Sequence, residues 1–208
     1  MSDDLLSLIG FFSDFGDENI LWPVMALTWF LLIIQGRRKI SLQWLALVIL
    51  VFGGMLLLKL FFEACGRMPG QSLYSPSGHT AGTTFVYGSI AVLFGRLPIM
   101  GFMLALGIGM FAGAARVWLH VHSVAEVFVG AAVGLLGVLL LVLARYREMQ
   151  TLFQKKLPDW SFVLFLAVVM IVALSLHGLR SPAESWLEHF SHRFVAPFRH
   201  CPVTLPAT

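Results

Sequence analysis

The sequence predicts an all-α membrane protein with six transmembrane helices, and three observations carry that expectation. Of 208 residues, 58 % are hydrophobic and only 12 % charged, whereas a soluble domain carries about 25 % charged residues. Mean hydropathy is +0.85. Apolar runs approaching the length needed to cross about 30 Å of hydrocarbon recur between short polar connections. The plan is one domain over residues 1–208: an interfacial N-terminus at 1–19, a six-helix core at 20–179 and an amphipathic tail at 180–208 on the outer face. Spans three to five form an inner bundle that carries the polar site, with short interfacial helices at both ends of the chain.

Each element has its own local reason. Leu5 to Phe12 is an apolar patch that ends in the polar run Ser13 to Asn19, which suits a segment lying in the interface. Span one is centred on Ile20 to Ile34, short for a bilayer, and extends at both ends. The basic loop Gly36-Arg37-Arg38-Lys39 leads to span two, Leu42 to Phe62, with Lys59 near its far end. A polar loop, Glu63 to Ser75, precedes span three, which starts at Pro76 and reaches Phe94. Ser75 is placed to cap it, and proline suits the first helical position because its missing N–H would have no partner there. Gly95-Arg96-Leu97-Pro98 turns into span four, Ile99 to Ala115, and Arg116 to Val121 connects to span five, His122 to Ala144. Arg145 to Lys156 is a second basic loop before span six, Trp160 to Leu179. In the tail, Ser181, Pro182 and Glu184 open an amphipathic helix with Trp186, Leu187, Phe190 and Phe194 on one side.

The basic residues orient the chain. Arg37, Arg38, Lys39, Arg96, Arg145, Arg147, Lys155 and Lys156 fall in alternate loops, which the positive-inside rule places in the cytoplasm. The loop before span three and the loop before span five then share the outer face. Small residues recur in spans three to five, as Gly78 and Gly82, as Gly101, Ala105, Gly109 and Gly113, and as Gly130 and Gly134; such stripes let helices approach closely in lipid. The net charge of +3 is spread over short loops, which argues against a nucleic-acid surface. Cys65 and Cys201 form no metal pattern. Both fall on the outer side, where a bridge could tie the tail over the site, and the sequence leaves open whether they are joined. The N-terminus lacks the basic region of a signal peptide.

Chemistry-bearing residues concentrate on the outer side. Pro76-Ser77-Gly78-His79 sits where a polar loop becomes a helix, so N–H groups at the positive end of the helix dipole can meet an anion, phosphate best of all. Lys59, Arg67, His79, Arg116, His122 and Glu126 are ionisable groups at membrane depth, where each is a functional candidate. His122 and Glu126, four apart, share a helix face, so the carboxylate can hold one imidazole nitrogen and raise the basicity of the other. Arg116 offers a planar fork for phosphate oxygens. His120, His177, His189, His192 and His200 lack metal-ligand spacing.

These residues resemble the type 2 phosphatidic acid phosphatases, membrane relatives of the vanadium haloperoxidases. The family signature is Lys, six residues, Arg-Pro; then Pro-Ser-Gly-His; then Ser-Arg, five residues, His, three residues, Asp. Here Pro76-Ser77-Gly78-His79 is intact. Ala115-Arg116 is followed by five residues, His122, three residues and Glu126. The first part is Lys59, seven residues, Arg67, with Met68 before Pro69.

The resemblance implies roles. His122 is the nucleophile that becomes a phosphohistidine, Glu126 orients it, and His79 is the general acid for the leaving oxygen. Lys59, Arg67, Arg116 and the N–H groups at Ser77 and Gly78 hold the phosphate oxygens. No cofactor and no metal are implied. The substrate is a lipid phosphate or diphosphate such as undecaprenyl diphosphate, phosphatidylglycerol phosphate, phosphatidic acid or a lipid A phosphate. It would be met at the outer face of a bacterial inner membrane. Phosphotransfer between lipids, or a catalytically weak lipid-binding relative, are the alternatives. Three departures stand out: Glu126 for Asp, Ala115 for Ser, and the extra residue between Lys59 and Arg67. Helical residues eight apart differ by about 80° in direction, so Lys59 and Arg67 can grip one phosphate only if the helix unwinds near Cys65-Gly66.

Overall fold

In a computed structural model all the regular structure is helical among the residues that the structure describes, which are 3–66, 70–95, 97–149, 159–176, 178 and 183–198. The helices are α1 (Asp3–Asp14), α2 (Glu18–Ile34), α3 (Arg38–Glu63), α4 (Gly78–Phe94), α5 (Pro98–Trp118), α6 (Val124–Met149), α7 (Asp159–Leu176) and α8 (Ala183–Phe190). The last continues through a π turn, Ser191–Val195, and a short 3-10 turn, Ala196–Phe198. A helix therefore stands at each of the six expected spans. Three of them, α3, α5 and α6, are long and apolar enough to cross a membrane. The α1–α2 pair, bent by 40°, makes a fourth if taken as one broken span. α4 has 17 residues and α7 has 18.

Large apolar side chains cover the outside. Phe30, Ile34, Leu42, Ile49, Leu57, Met110 and Phe128 are all more than half exposed. A surface this apolar suits lipid, since water tolerates only small patches of it. Inside, Trp44, Phe85, Ile20, Leu21, Leu32 and Leu141 are fully buried. The Trp44 indole donates to Ser89 Oγ at 2.8 Å, which satisfies its one polar atom in the core.

α4, α5 and α6 pack against one another more extensively than any other trio of helices, and the glycines explain how. A Cβ on Gly88 would run into Ala105, and one on Gly134 would lie 2.6 Å from the Ala81 carbonyl oxygen. At Gly130 it would run into the Ser77 carbonyl. α4 carries several hydroxyls, which are disposed of locally: Thr83 Oγ1 donates to the His79 carbonyl, Thr84 Oγ1 to Thr80 and Ser89 Oγ to Val86. At its C-terminal end the buried Arg145 of α6 donates to the carbonyls of Val92 and Leu93. Arg145 was expected in a loop. It belongs instead to α6 because these carbonyls, left without intrahelical donors, take its guanidinium.

The N-terminal segment departs from a simple interfacial helix. α1 meets α2 at a tight turn, with Gly16 N–H donating to Ser13 O and Asp17 N–H to Asp14 O, both at 2.9 Å. This turn lies on α4, where Tyr87 Oη donates to the Phe15 carbonyl at 2.8 Å. The capping residues expected for the tail, Ser181 and Pro182, lie outside the described residues. The helix beyond them rests on the end of α3, with Ser191 Oγ donating to the Leu60 carbonyl at 3.0 Å. Cys65 is disulfide-bonded, and Cys201, the other cysteine of the chain, lies outside the described residues.

Candidate active site

The site is assembled where α3 ends, α4 and α6 begin and α5 ends. Ser75 was expected to cap the helix that follows Pro76, but the cap is Ser77, whose Oγ accepts the Thr80 N–H at 3.3 Å. The helix starts two residues later than expected because Tyr74 and Ser75 are held elsewhere: both N–H groups donate to Glu126 Oε1, at 3.1 and 2.9 Å. The Ser77 N–H, expected to face a phosphate, donates to the Glu126 carbonyl at 3.1 Å. Ser77 is fully buried and its Oγ also pairs with Thr80 Oγ1 at 2.9 Å. That leaves the first-turn N–H groups of Gly78 and His79, which have no acceptor within their own helix, at the positive end of α4.

His122 and Glu126 are in contact, His122 Nδ1 lying 3.1 Å from Glu126 Oε2. The two do not meet as neighbours on one helix face, however. His122 lies ahead of α6, and Ser123 and Glu126 form a capping box. The Glu126 N–H donates to Ser123 Oγ at 3.2 Å, and the Ser123 N–H donates to Glu126 Oε2 at 2.9 Å. The Ser-x-x-Glu spacing was visible in the sequence and would have placed the start of α6. Glu126 is only 2 % exposed, and its carboxylate receives four donors: Tyr74, Ser75, Ser123 and His122. The methylene by which Glu exceeds Asp is used here to reach the loop before α4 and His122 together. A carboxylate only accepts, so His122 Nδ1 carries the proton of that hydrogen bond and its Nε2 keeps a lone pair.

Arg116 was expected in a connecting loop and lies in the last turn of α5. Its carbonyl accepts the N–H of Val121 at 3.2 Å and of His122 at 3.4 Å, so Arg116 and His122 are joined through the backbone. His120, between them, takes a positive φ of 55° and is exposed. Lys59 is buried in α3. Its Cε lies 3.4 Å and its Nζ 3.9 Å from where a Gly78 Cβ would be, which brings this cation to the N-terminus of α4. Glu63, one turn on from Lys59, is also buried. α3 ends at Glu63, and the Gly66 N–H donates to the Glu63 carbonyl with Gly66 at φ 71°. The helix is therefore broken at Cys65-Gly66, and the phase mismatch between Lys59 and residue 67 no longer applies. Arg67 itself lies outside the described residues.

Three residues of the N-terminal turn reach His79, and no sequence pattern points to them. Asp17 Oδ1 is 3.3 Å from His79 Nδ1, and Ser13 Oγ is 3.3 Å from its Nε2. Gly16 lies against the ring so closely that a side chain there would strike His79 and Thr83. Ser13 and His79 are 66 residues apart in the chain, so no local pattern announces the contact. Among the described residues, no cluster of His, Cys, Asp or Glu is arranged to hold a metal ion.

Taken together, a helical membrane protein presents two buried histidines, each beside a carboxylate, with a lysine, an arginine and a helix N-terminus around them. That is a chemistry suited to a phosphate group. Residues 59–150 match the family model described as the PAP2 superfamily, which is consistent with a type 2 phosphatidic acid phosphatase. The match spans Lys59, His79, Arg116, His122 and Glu126. Members of this superfamily are phosphatases. No curated protein and no solved structure matches the chain at a significant level.

Proposed function

We propose that the protein hydrolyses a lipid phosphate or diphosphate at the outer face of a membrane through a phosphohistidine. The observation that carries this reading is His122, held at Nδ1 by a fully engaged carboxylate and joined to Arg116 through the backbone, inside the PAP2 stretch. The lone pair of His122 Nε2 attacks phosphorus and forms an N–P bond. The P–O bond to the leaving group breaks, its electron pair stays on that oxygen, and His79 supplies the proton. Water then attacks phosphorus, gives a proton to His79 and releases inorganic phosphate and His122.

Lys59, Arg116, Arg67 and the N–H groups of Gly78 and His79 hold the non-bridging oxygens as charge shifts during transfer. Ser77 supports this grip as the cap of α4, since its own N–H is engaged. Fixed cations and dipoles in a water-poor site act strongly on a developing charge. The lipid-like exterior suits a substrate whose tail lies in the same phase as the protein, and the distribution of basic residues over the loops supports a site on the outer side.

The test is phosphate release from purified protein given undecaprenyl diphosphate, phosphatidylglycerol phosphate, phosphatidic acid or a lipid A phosphate, beside His122→Ala. Release that depends on His122 is the expected result. Equal release by the variant, or movement of the phosphate to a second lipid with none set free, would overturn the reading.

A further inference from the structure

The two histidines of the site share a design, and only one half of it lies in the PAP2 stretch. Glu126 is hydrogen-bonded to His122 at Nδ1; Asp17, from the turn between α1 and α2, faces the same nitrogen of His79 at ion-pair distance, 3.3 Å. The turn is fixed to α4 along one stripe of residues spaced by four. His79 meets Asp17 and Ser13, Thr83 meets Gly16, and Tyr87 donates to the Phe15 carbonyl. The His79 side chain is only 7 % exposed, and that of Asp17 25 %.

We propose that Asp17 is the positioning residue of His79, fixing Nε2 as the nitrogen that delivers the proton to the leaving oxygen. This rests on the phosphatase reading, in which His79 is the general acid. A carboxylate can only accept, so a hydrogen bond to Asp17 requires the proton on Nδ1. The proton given away must then come from Nε2, and the carboxylate stabilises the imidazolium that holds it.

Ser13 completes the arrangement. A hydroxyl accepts from the Nε2–H of the charged ring and donates to the bare Nε2 of the neutral one, so it accompanies both protonation states. At 3.3 Å the contact is at the long end of hydrogen bonding, and a substrate oxygen can displace it. When the P–O bond breaks, the Nε2 proton passes to the leaving oxygen, which departs as an alcohol or a lipid monophosphate. The ring is left neutral with its Nδ1–H on Asp17, ready to take a proton from the attacking water.

The test compares two substrates with the same tail: dodecyl phosphate, whose alkoxide needs a proton to leave, and a dodecyl-substituted nitrophenyl phosphate, whose phenolate does not. Asp17→Asn should lower kcat on the alkyl substrate by about 10²-fold, the lower range for a positioned general acid, with KM little changed. Turnover of the aryl substrate should fall less than about threefold by the same argument, which also shows the variant to be folded. Asp17→Glu should restore most of the alkyl activity. Equal losses on both substrates would make Asp17 a structural clamp and overturn the proposal, as would no loss on either. Wild-type protein that turns over neither substrate would instead overturn the phosphatase reading, and the proposal with it.

Discussion

The carboxylate of Glu126 accepts the backbone N–H of Ser75 at 2.9 Å, across 51 residues of chain. Its other oxygen faces His122 and Ser123, so one side chain fixes both the approach to α4 and the ring of the proposed nucleophile. Glu126→Gln replaces one acceptor oxygen by a donor and turns it toward N–H groups on one side or the other. Each buried donor left unsatisfied costs about 1–3 kcal/mol. The variant should unfold in detergent at a clearly lower temperature and lose at least about 10²-fold in turnover. An unchanged melting temperature would show that the four donors do not depend on the charge.

His122 should behave in the opposite way. Its Nε2 is proposed to act on phosphorus, while the fold near it is held by Ser123 and Glu126. His122→Ala should leave the melting temperature within a few degrees and reduce phosphate release to background, a loss of roughly 10⁴-fold or more. In wild-type protein quenched during turnover of a phosphorus-labelled lipid, the label should stay on the chain in alkali and leave in acid, as an N–P bond does. Label absent from the chain, or stable to acid, would speak against the phosphohistidine.

Lys59 and Arg67 should both matter. With α3 ended at Glu63 and Gly66 at positive φ, the two are no longer bound to helical phase, and Lys59 already lies beside Gly78. Lys59→Met and Arg67→Met should each lower kcat/KM by about 10²-fold or more, since each removes one charged donor from a dry site. A Lys59 variant with wild-type kinetics would confine this lysine to packing.

Close helix contact is open to a paired test. Gly130→Ala would drive a methyl group into the Ser77 carbonyl, whereas Gly107 has nothing within 4 Å of its would-be side chain. The first should cost about 1–3 kcal/mol by overpacking and disturb the cap of α4. The second should be neutral or stabilise by up to about 1 kcal/mol through helix propensity. Thermal unfolding of both in the same detergent decides whether α4 and α6 approach as closely as described.

Orientation is tested by labelling single cysteines in a background lacking Cys65 and Cys201. A cysteine at Ser72, beside the site, should react from outside, and one at Gln150 only from the cytoplasm. The reverse pattern would move the substrate to the inner leaflet.

Much of this was readable from the residues themselves, and the limits have physical causes. Hydropathy located the helices, and the Pro76–His79 and Arg116–Glu126 patterns pointed to stretches that the fold brings into contact, because both signals are local in the chain. The start of α4 was misplaced by two residues because Ser75 and Ser77 are equally good caps in isolation. What decides between them is Glu126, half a hundred residues away. The capping box of Ser123 and Glu126 is legible too, and it competes with the spacing of His122 and Glu126 as a helical pair. Asp17 and Ser13 were not legible at all: their partner His79 is reached only by folding a tight turn onto a helix that comes much later in the chain.

Both ends of α4 are finished by α6, through Glu126 at its start and Arg145 at its close. A ribosome makes α4 first and α6 some thirty residues afterwards. Until α6 arrives, a short helix with four buried hydroxyl-bearing residues, Thr80, Thr83, Thr84 and Ser89, lacks the partners that α6 supplies at both ends. Chemistry therefore has to wait for synthesis: a nascent chain released before Glu126 can hold neither the approach to α4 nor the ring of His122 in place. A truncated product would thus be inert toward the lipids around it.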